Sequence, residues 1–183
     1  MQVGLAHHRI ATEADIPVIA DLMDRAIAQL QRGFLSEAEI AASRAHMGLD
    51  TQLIADRSYF IVTIDGAVAG CGGWSARATL FGGDASGGRD PEMLDPARHP
   101  ARIRAMYTDP AFVRRGVGRN LLDLCEHAAA AAGFRRLEMA ATLSGVPLYR
   151  ACGYVEIEAF EAVAPGGIPV PLVRMGKALP SDR

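Results

Sequence analysis

A strand–helix–strand unit in the second half of the chain sets the strongest limit on its fold. Residues 103–108 are predicted to form a strand, Gly116 opens a helix that ends at Gly133, and residues 136–141 are predicted to form a second strand. The apolar side chains of this helix fall on one face, as in a helix that packs on a sheet: Val117, Leu121, Leu124, Cys125, Ala128 and Ala132. Together with hairpins elsewhere, the unit predicts an α/β sandwich with a mixed sheet.

Turn and cap signals place the remaining elements around this unit. The Asp65-Gly66 pair is a strong signal for a two-residue hairpin turn, and Ser36 with Glu39 is typical of a capping box. Residues 77–101 are rich in glycine, proline and aspartate, which predicts a long surface loop. Helices are predicted at 15–33, 36–47 and 147–151, and strands at 8–11, 59–64, 67–75, 154–163 and 170–177.

The composition is that of a globular protein and gives no sign of a membrane or nucleic-acid partner. Half of the 183 residues are hydrophobic, and no apolar run approaches the ~20 residues that span a bilayer. Lys and Arg number 19 against 21 Asp and Glu, so no general attraction to nucleic acid is expected. The length fits a single domain over residues 1–183, and the start lacks a signal-peptide pattern, which favours a cytoplasmic location. A small-molecule partner is therefore expected, and a homodimer is a reasonable assembly for such a fold.

Cysteine and histidine show no pattern that would indicate a metal or redox site. Cys71, Cys125 and Cys152 form no C-x-x-C pair and are expected to be reduced. The histidines also lack metal-ligand spacing, and they are His7, His8, His46, His99 and His127. No metal cofactor is therefore predicted.

The segment V-R-R-G-V-G-R, residues 113–119, is the strongest candidate binding site. It lies between a predicted strand and a predicted helix, where unpaired N–H groups and the helix dipole favour an anion such as a pyrophosphate. Its two glycines allow a ligand to approach the backbone closely, and its three arginines add positive charge for phosphate groups. A basic turn capped by glycines would have the same sequence. A dinucleotide fingerprint is excluded, because Leu121 occupies its third glycine position, and no Walker A pattern occurs.

This segment resembles the acetyl-CoA signature Q/R-x-x-G-x-G/A of the Gcn5-related N-acetyltransferases (GNAT). Gly116 and Gly118 match its glycines, whereas Val113 replaces the Gln or Arg of its first position. Residues 148–154, L-Y-R-A-C-G-Y, resemble the Y-x-x-x-G-F/Y element of the same family. Two motifs in this order, within regions of about 103–133 and 136–163, are more specific than either alone.

The resemblance implies a single-domain, mixed-sheet α/β sandwich of the acyl-CoA N-acyltransferase (GNAT) type, with acetyl-CoA as cosubstrate. It implies a V-shaped opening between two parallel strands, where the pantetheine arm pairs with the backbone of Met106, Tyr107 and Thr108. The phosphates would lie on the signature: Arg114, Arg115, Gly116, Val117, Gly118 and Arg119. Tyr149, neutral at pH 7, would donate a proton to the departing CoA thiolate, although an aromatic residue on a short helix also fits a core position.

No single residue stands out as the base that must deprotonate the acceptor amine. Several candidates lie in the helix pair or the long loop, where an acceptor would sit: Asp24, Glu39, Glu92, Asp95 and His99. Each also fits a solvated surface group, and a chain of waters is the alternative.

Three functions are compatible with these patterns. The first is an N-acetyltransferase in which a primary amine of a small acceptor attacks acetyl-CoA directly in a ternary complex, and the spacing of Tyr149 to Gly153 favours it. The second is a non-catalytic module that binds or senses acetyl-CoA. The third is an interaction domain that shares only the fold.

Overall fold

The computed structural model describes residues 6–164 and 166–180, so the signal-peptide expectation falls partly outside the described residues. The helices are α1 (Ile16–Leu30), α2 (Glu37–Ser43), α3 (Thr51–Ala55), α4 (Val117–Ala131) and α5 (Val146–Ala151). The strands are β1 (Ala6–Ile10), β2 (Tyr59–Ile64), β3 (Ala67–Ser75), β4 (Ala101–Thr108), β5 (Arg136–Thr142), β6 (Val155–Ala162) and β7 (Val170–Ala178). Within the described residues, no helix has the length and apolar character needed to cross a membrane.

The strands form one mixed, seven-stranded sheet in the order β1-β2-β3-β4-β5-β7-β6. The only parallel pair in this sheet is β4 with β5, the two strands that α4 connects. Ile61 of β2 packs with residues of α1, whereas its neighbour Val62 packs with Leu121 of α4. Because successive side chains of a strand point to opposite faces, the two helices cover opposite sides of the sheet. The predicted α/β sandwich with a mixed sheet is confirmed.

The hairpin turn and the capping box form as their local sequences predict. Asp65 and Gly66 have φ angles of 52° and 83°, and a type I′ turn needs two positive values. Ser36 Oγ accepts a hydrogen bond from the Glu39 N–H (3.2 Å), and the Glu39 carboxylate accepts one from the Ser36 N–H (2.7 Å). Both elements depend on contacts within a few residues, so they follow from the sequence directly.

The helix after this cap is shorter than predicted. α2 ends at Ser43 rather than near residue 47. The buried Ser43 hydroxyl donates to the Ile40 carbonyl (2.7 Å) and accepts from the Gln31 side-chain amide (3.1 Å). A serine that binds the backbone in this way competes with continued helix formation. No helix is predicted from the sequence at α3; this short helix is capped by Asp50, whose carboxylate accepts the Gln52 N–H (3.2 Å).

Asp15 precedes α1 as predicted, but its side chain does not cap that helix. Its carboxylate instead accepts two hydrogen bonds from Arg9 (2.7 Å each) and one from the Thr12 N–H (2.8 Å). Arg9, followed by Thr12, holds the pKa of Asp15 well below its usual value. The residue therefore anchors the first strand to the helical segment, and its bond with the Thr12 N–H forms part of a capping box at the short 3-10 turn that precedes α1.

A bulge bends β4 at the place where the site forms. One residue of β3, Gly72, faces two residues of β4, Ala105 and Met106. Ala105 has a φ of 49°, which is uncommon for a residue with a side chain. A side chain at Gly72 would collide with the Met106 sulfur, so the glycine gives the bulge its room.

β4 and β5 separate just after their pairing begins. Ala101 pairs with Leu137 and Arg102 with Glu138, and the Arg102 guanidinium also donates to the Glu138 carboxylate (2.9 Å). Beyond these pairs β4 and β5 share no further strand pairing. The strand divergence implied by the GNAT resemblance is therefore present, with its narrow end closed by an ion pair.

Candidate active site

The loop before α4 forms a cradle of backbone donors. Gly116 is the N-cap of α4 with a φ of 79°, and Arg114 has a φ of 63°. The first N–H to enter the α4 hydrogen-bond ladder belongs to Asn120, which donates to the Gly116 carbonyl (3.0 Å). The N–H groups of residues 117–119 therefore precede the ladder and stay available for an anion at the positive end of the helix.

The two glycines of the cradle have different roles. A Cβ built on Gly116 meets no atom within 4 Å, so its open side faces space that a ligand could use. A Cβ on Gly118 would lie 2.5 Å from a methyl group of Leu148, so this glycine allows α4 to pack closely against α5. The first signature is thereby fixed to the helix that carries the second.

The signature side chains divide into exposed and buried groups. Arg114, Arg115 and Arg119 are exposed, and the Arg115 guanidinium lies 5.3 Å from the centre of the Phe112 ring. Val117 is buried in the core, so only its backbone can contact a ligand. The exposed guanidinium groups surround the cradle at its mouth, where they would add charge for phosphates.

The V-shaped opening continues into a central cavity of about 90 Å³. The motif region contributes the following lining residues: Ala105, Met106 and Tyr107 of β4, Ala140 and Thr142 of β5, and Tyr149 of α5. The Tyr107 hydroxyl accepts a hydrogen bond from the Gly48 N–H (2.9 Å) and is thus tied to the opposite wall. Thr108 does not line this cavity and pairs with Gly70 of β3.

Tyr149 points its ring into the cavity from α5. Its side chain is largely buried, with 8% exposure, and its hydroxyl makes no hydrogen bond to any residue that the structure describes. Burial raises the pKa of Tyr149, with smaller contributions from Cys125 and Cys152. A hydroxyl with a raised pKa keeps its proton at neutral pH and can act as a donor.

Gly145 leaves room for the Tyr149 ring. A Cβ on Gly145 would lie 2.7 Å from the ring's Cε2 atom. The φ and ψ angles of Gly145, −84° and −25°, are open to any residue, so contact with the ring rather than backbone conformation calls for glycine here. Sequence reasoning missed this residue, because nothing local distinguishes it from an ordinary helix N-cap glycine.

The opposite wall of the cavity comes from segments without a recognisable motif. The turn after α2 supplies His46 and Met47, the long loop supplies Leu80 and Phe81, and β7 supplies Leu172. The base candidates taken from the sequence do not line the cavity: Asp24, Glu39, Glu92, Asp95 and His99. His46, which does line it, was counted only as a histidine without metal-ligand spacing.

Arg104 holds the long loop against this wall. Its guanidinium is only 4% exposed and donates to the Thr79 carbonyl (3.1 Å), to Asp50 (2.9 Å) and to the Gly82 carbonyl. Burial lowers the pKa of Arg104, and the nearby Asp50 carboxylate partly offsets that effect. The long loop, residues 76–100 in the structure, therefore lies on the surface but is anchored to the sheet at Thr79 and Gly82.

A comparison with protein families decides the classification. The model of the acetyltransferase (GNAT) family matches residues 23–154. The chain belongs to the GNAT family. N-acetyltransferase activity is the general activity of this family, and both GNAT motifs lie within the matched residues. No curated protein matches the chain significantly in sequence.

Solved structures share the GNAT fold over nearly the whole chain. A Gcn5-related N-acetyltransferase from Rhodopseudomonas palustris is 23% identical, with a TM-score of 0.69 and coverage of 98% of this chain and 99% of that one. The PaiA N-acetyltransferase from Thermoplasma acidophilum, solved in complex with coenzyme A, is 12% identical, with a TM-score of 0.63 and coverage of 95% and 99%. The ribosomal-protein-S18-alanine N-acetyltransferase from Escherichia coli is 16% identical, with a TM-score of 0.59 and coverage of 98% and 97%. At these identities the likeness concerns the fold.

Proposed function

We propose that this GNAT protein transfers the acetyl group of acetyl-CoA to a primary amine of a small acceptor by direct attack in a ternary complex. The observation that carries the proposal is the presence of three features in the two motif regions. The divergence of β4 from β5 and the unpaired hydroxyl of Tyr149 lie at the central cavity, and the backbone cradle at Gly116 lies just before α4. Each supplies a different requirement of acetyl transfer.

The cradle would hold the pyrophosphate of acetyl-CoA. The N–H groups of residues 117–119 would donate to its oxygens, and Arg114, Arg115 and Arg119 would add charge from the solvent side. The pantetheine arm would lie along β4, pairing with backbone groups of residues 106–108 that β5 leaves free. This arrangement directs the thioester toward the central cavity.

Acetyl transfer then needs an uncharged amine, a stabilised oxyanion and a proton for the leaving group. The amine nitrogen attacks the thioester carbon, and a backbone N–H near Met106 donates to the developing oxyanion. The C–N bond forms, the C–S bond breaks, and Tyr149 donates its proton to the CoA thiolate. The nitrogen loses one proton to solvent, and solvent returns one proton to the tyrosinate. The products are an N-acetylated amine and CoA with a free thiol.

A module that only binds or senses acetyl-CoA would use the same cradle. The hydroxyl of Tyr149 favours turnover, because a passive binder has no need for an unpaired donor inside the cavity. Single-domain organisation, a cytoplasmic location and a homodimer stay predictions from the sequence.

Thermal unfolding with matched concentrations of acetyl-CoA, CoA, NAD and ATP tests the proposal. Selective stabilisation by acetyl-CoA and CoA is expected, because a ligand of the native state raises its melting temperature. A free-thiol assay with a panel of amines then tests turnover. No stabilisation by either CoA compound would contradict the proposed function, whereas binding without turnover for any amine would favour the sensing module.

A further inference from the structure

The motif-free wall of the central cavity carries one imidazole, that of His46. It lies in the turn after α2, where its own N–H donates to the Ser43 carbonyl (2.9 Å). Two further bonds fix the same turn: the Ser86 hydroxyl donates to the Ala45 carbonyl (2.7 Å), and the Gly48 N–H donates to the Tyr107 hydroxyl (2.9 Å). The backbone that carries His46 is therefore held from both the long loop and β4.

The His46 ring is oriented by packing and has an unused nitrogen. It meets the Phe81 ring edge-on with 5.8 Å between ring centres, and Phe81 in turn packs on Phe160 at 5.7 Å. Its Nε2 atom is buried and has no hydrogen-bond partner among the described residues. A buried, unpaired ring nitrogen is unfavourable unless a ligand group completes its hydrogen bond.

The other polar groups of the cavity are unsuited to take a proton from an amine. Arg104 is a cation held by Asp50 and two carbonyls, and both Tyr107 and Tyr149 are buried hydroxyls whose pKa values are raised by burial. No Asp or Glu lines the cavity among the residues that the structure describes. Among the described residues that line the cavity, His46 therefore carries the one side-chain nitrogen whose lone pair is free to accept a proton.

The same lining limits the acceptor. The wall around His46 presents the apolar side chains Met47, Leu80, Phe81 and Leu172, and its one charged lining side chain among the described residues is Arg104, which is paired with Asp50 behind it. A second ammonium group on the acceptor would find no carboxylate here and would face this guanidinium. A volume of about 90 Å³ also suits a small molecule better than a polypeptide segment.

We propose that the cavity takes a small primary amine carried on an uncharged, apolar group, and that His46 accepts the proton which this amine loses. The proposal rests on acetyl transfer as the proposed function. The free amine binds with one N–H toward the imidazole, and its nitrogen forms the C–N bond to the thioester carbon. The C–S bond breaks, His46 gains the amine proton, and the CoA thiolate gains the Tyr149 proton. Solvent then returns one proton from the imidazolium to the tyrosinate.

Imidazole nitrogen NMR of the CoA-loaded protein tests the contact without turnover. The probe is benzylamine, and the His46 signals are assigned by their loss in His46→Gln. Benzylamine is expected to shift the His46 nitrogen signals and to leave those of the exposed His99 unchanged. Unmoved His46 signals at saturating CoA would overturn the proposal while acetyl-CoA binding stands. Failure of CoA itself to bind would remove the proposed function, and this proposal with it.

Two substitutions separate binding from proton transfer. His46→Phe keeps an aromatic ring on Phe81 but no nitrogen, and is expected to lose both amine binding and about 100-fold in kcat. His46→Gln keeps a hydrogen-bond acceptor without a base, so benzylamine should still bind while kcat falls by a similar factor. His99→Gln is the matched control, expected within about 2-fold of the wild type. Unchanged kcat in both His46 variants would overturn the proposal.

The acceptor class is tested by competition among three amines. Benzylamine, spermidine and an alanine tripeptide with a free N-terminus are compared by kcat/KM in the free-thiol assay. Benzylamine is expected to exceed each of the others by at least about 10-fold. Preference for spermidine or for the peptide, or turnover of none of the three, would overturn the proposed acceptor class.

Discussion

The cofactor side and the acceptor side of the proposed active site are built from different groups. The cofactor side, formed by β4 and the cradle at residues 113–119, offers mainly backbone groups that a bulge and a left-handed glycine leave unpaired. The acceptor side, formed by residues 43–48, 80–82 and 170–172, offers side chains from three distant segments. A site made of backbone tolerates many side chains but few changes of conformation. A site made of side chains is instead altered by single substitutions. One fold can therefore keep its cofactor while its acceptor changes.

Gly116→Glu should have the largest effect, because it should prevent CoA from binding to the cofactor side. Position 116 has a φ of 79°, which is strained for a residue with a Cβ. The new carboxylate would also lie where the pyrophosphate is proposed to bind. CoA affinity, measured by titration calorimetry, is expected to fall at least 100-fold, which is about 2.7 kcal/mol.

Gly66→Glu is the matched control for this change. Gly66 has a nearly equal φ of 83° and open surroundings, but it lies in the β2–β3 turn away from the cradle. Gly66→Glu should introduce similar backbone strain, so it should lower the free energy of unfolding but leave CoA binding intact. Retained binding in Gly116→Glu, or loss in both variants, would mean that the cradle is not the CoA site.

Tyr149, which lies between the two sides, should matter for the chemical step but not for cofactor binding, and Tyr149→Phe tests this. Loss of the proton donor is expected to lower kcat by about 100-fold while acetyl-CoA affinity stays nearly constant. Tyr154→Phe is the control, because Tyr154 lies against Tyr149 with ring centres 6.2 Å apart, yet its hydroxyl donates to Glu126 (3.1 Å). Steady-state kinetics of both variants test this role. An unaltered kcat in Tyr149→Phe would show that Tyr149 is not the proton donor.

Gly145→Ala should have a smaller effect through the same tyrosine. Its new methyl group would press on the Tyr149 ring, and a displaced donor is expected to cost about 10-fold in kcat. The double variant with Tyr149→Phe should be no slower than Tyr149→Phe alone, because both changes act on one group. Additive losses in the double variant would show that Gly145 acts elsewhere.

The local geometry of the cradle can be predicted from the sequence for a physical reason. A left-handed N-cap at Gly116 and close helix packing at Gly118 both require glycine, and they fall within one short segment. The acceptor side has no such signature, because His46, Phe81 and Leu172 meet only after the chain has folded. His46 also lies where α2 ends early, and that end depends on the buried contact of Ser43 with another helix.

Arg25→Met should give the smallest effect, at a contact that ties α1 to the chain between β4 and the cradle. Arg25 of α1 donates to Asp109, the residue at which the chain leaves β4 for the cradle. Burial alone would raise the pKa of Asp109, but hydrogen bonds from Arg25 and the Ala111 N–H hold it below its usual value. Because Arg25 is partly exposed, the variant should lose only about 1 kcal/mol of unfolding free energy at pH 7.

The pH dependence of this loss follows from the lowered pKa. A carboxylate with a depressed folded-state pKa contributes stability above its unfolded pKa of about 3.9, and the contribution is lost as the pH falls below that value. Urea unfolding should therefore show a larger difference between the wild type and Arg25→Met at pH 7 than at pH 3. An equal difference at both values would assign the effect to packing of the arginine stem.

Amide hydrogen exchange with and without acetyl-CoA is the most direct test of the proposed cofactor site, because the ligand would bind to backbone N–H groups. Acetyl-CoA is predicted to slow exchange at residues 106–108 and 114–119 and to leave the turn at Asp65 and Gly66 unchanged. Protection that is absent from both segments, or confined to another part of the chain, would contradict a backbone cradle for acetyl-CoA.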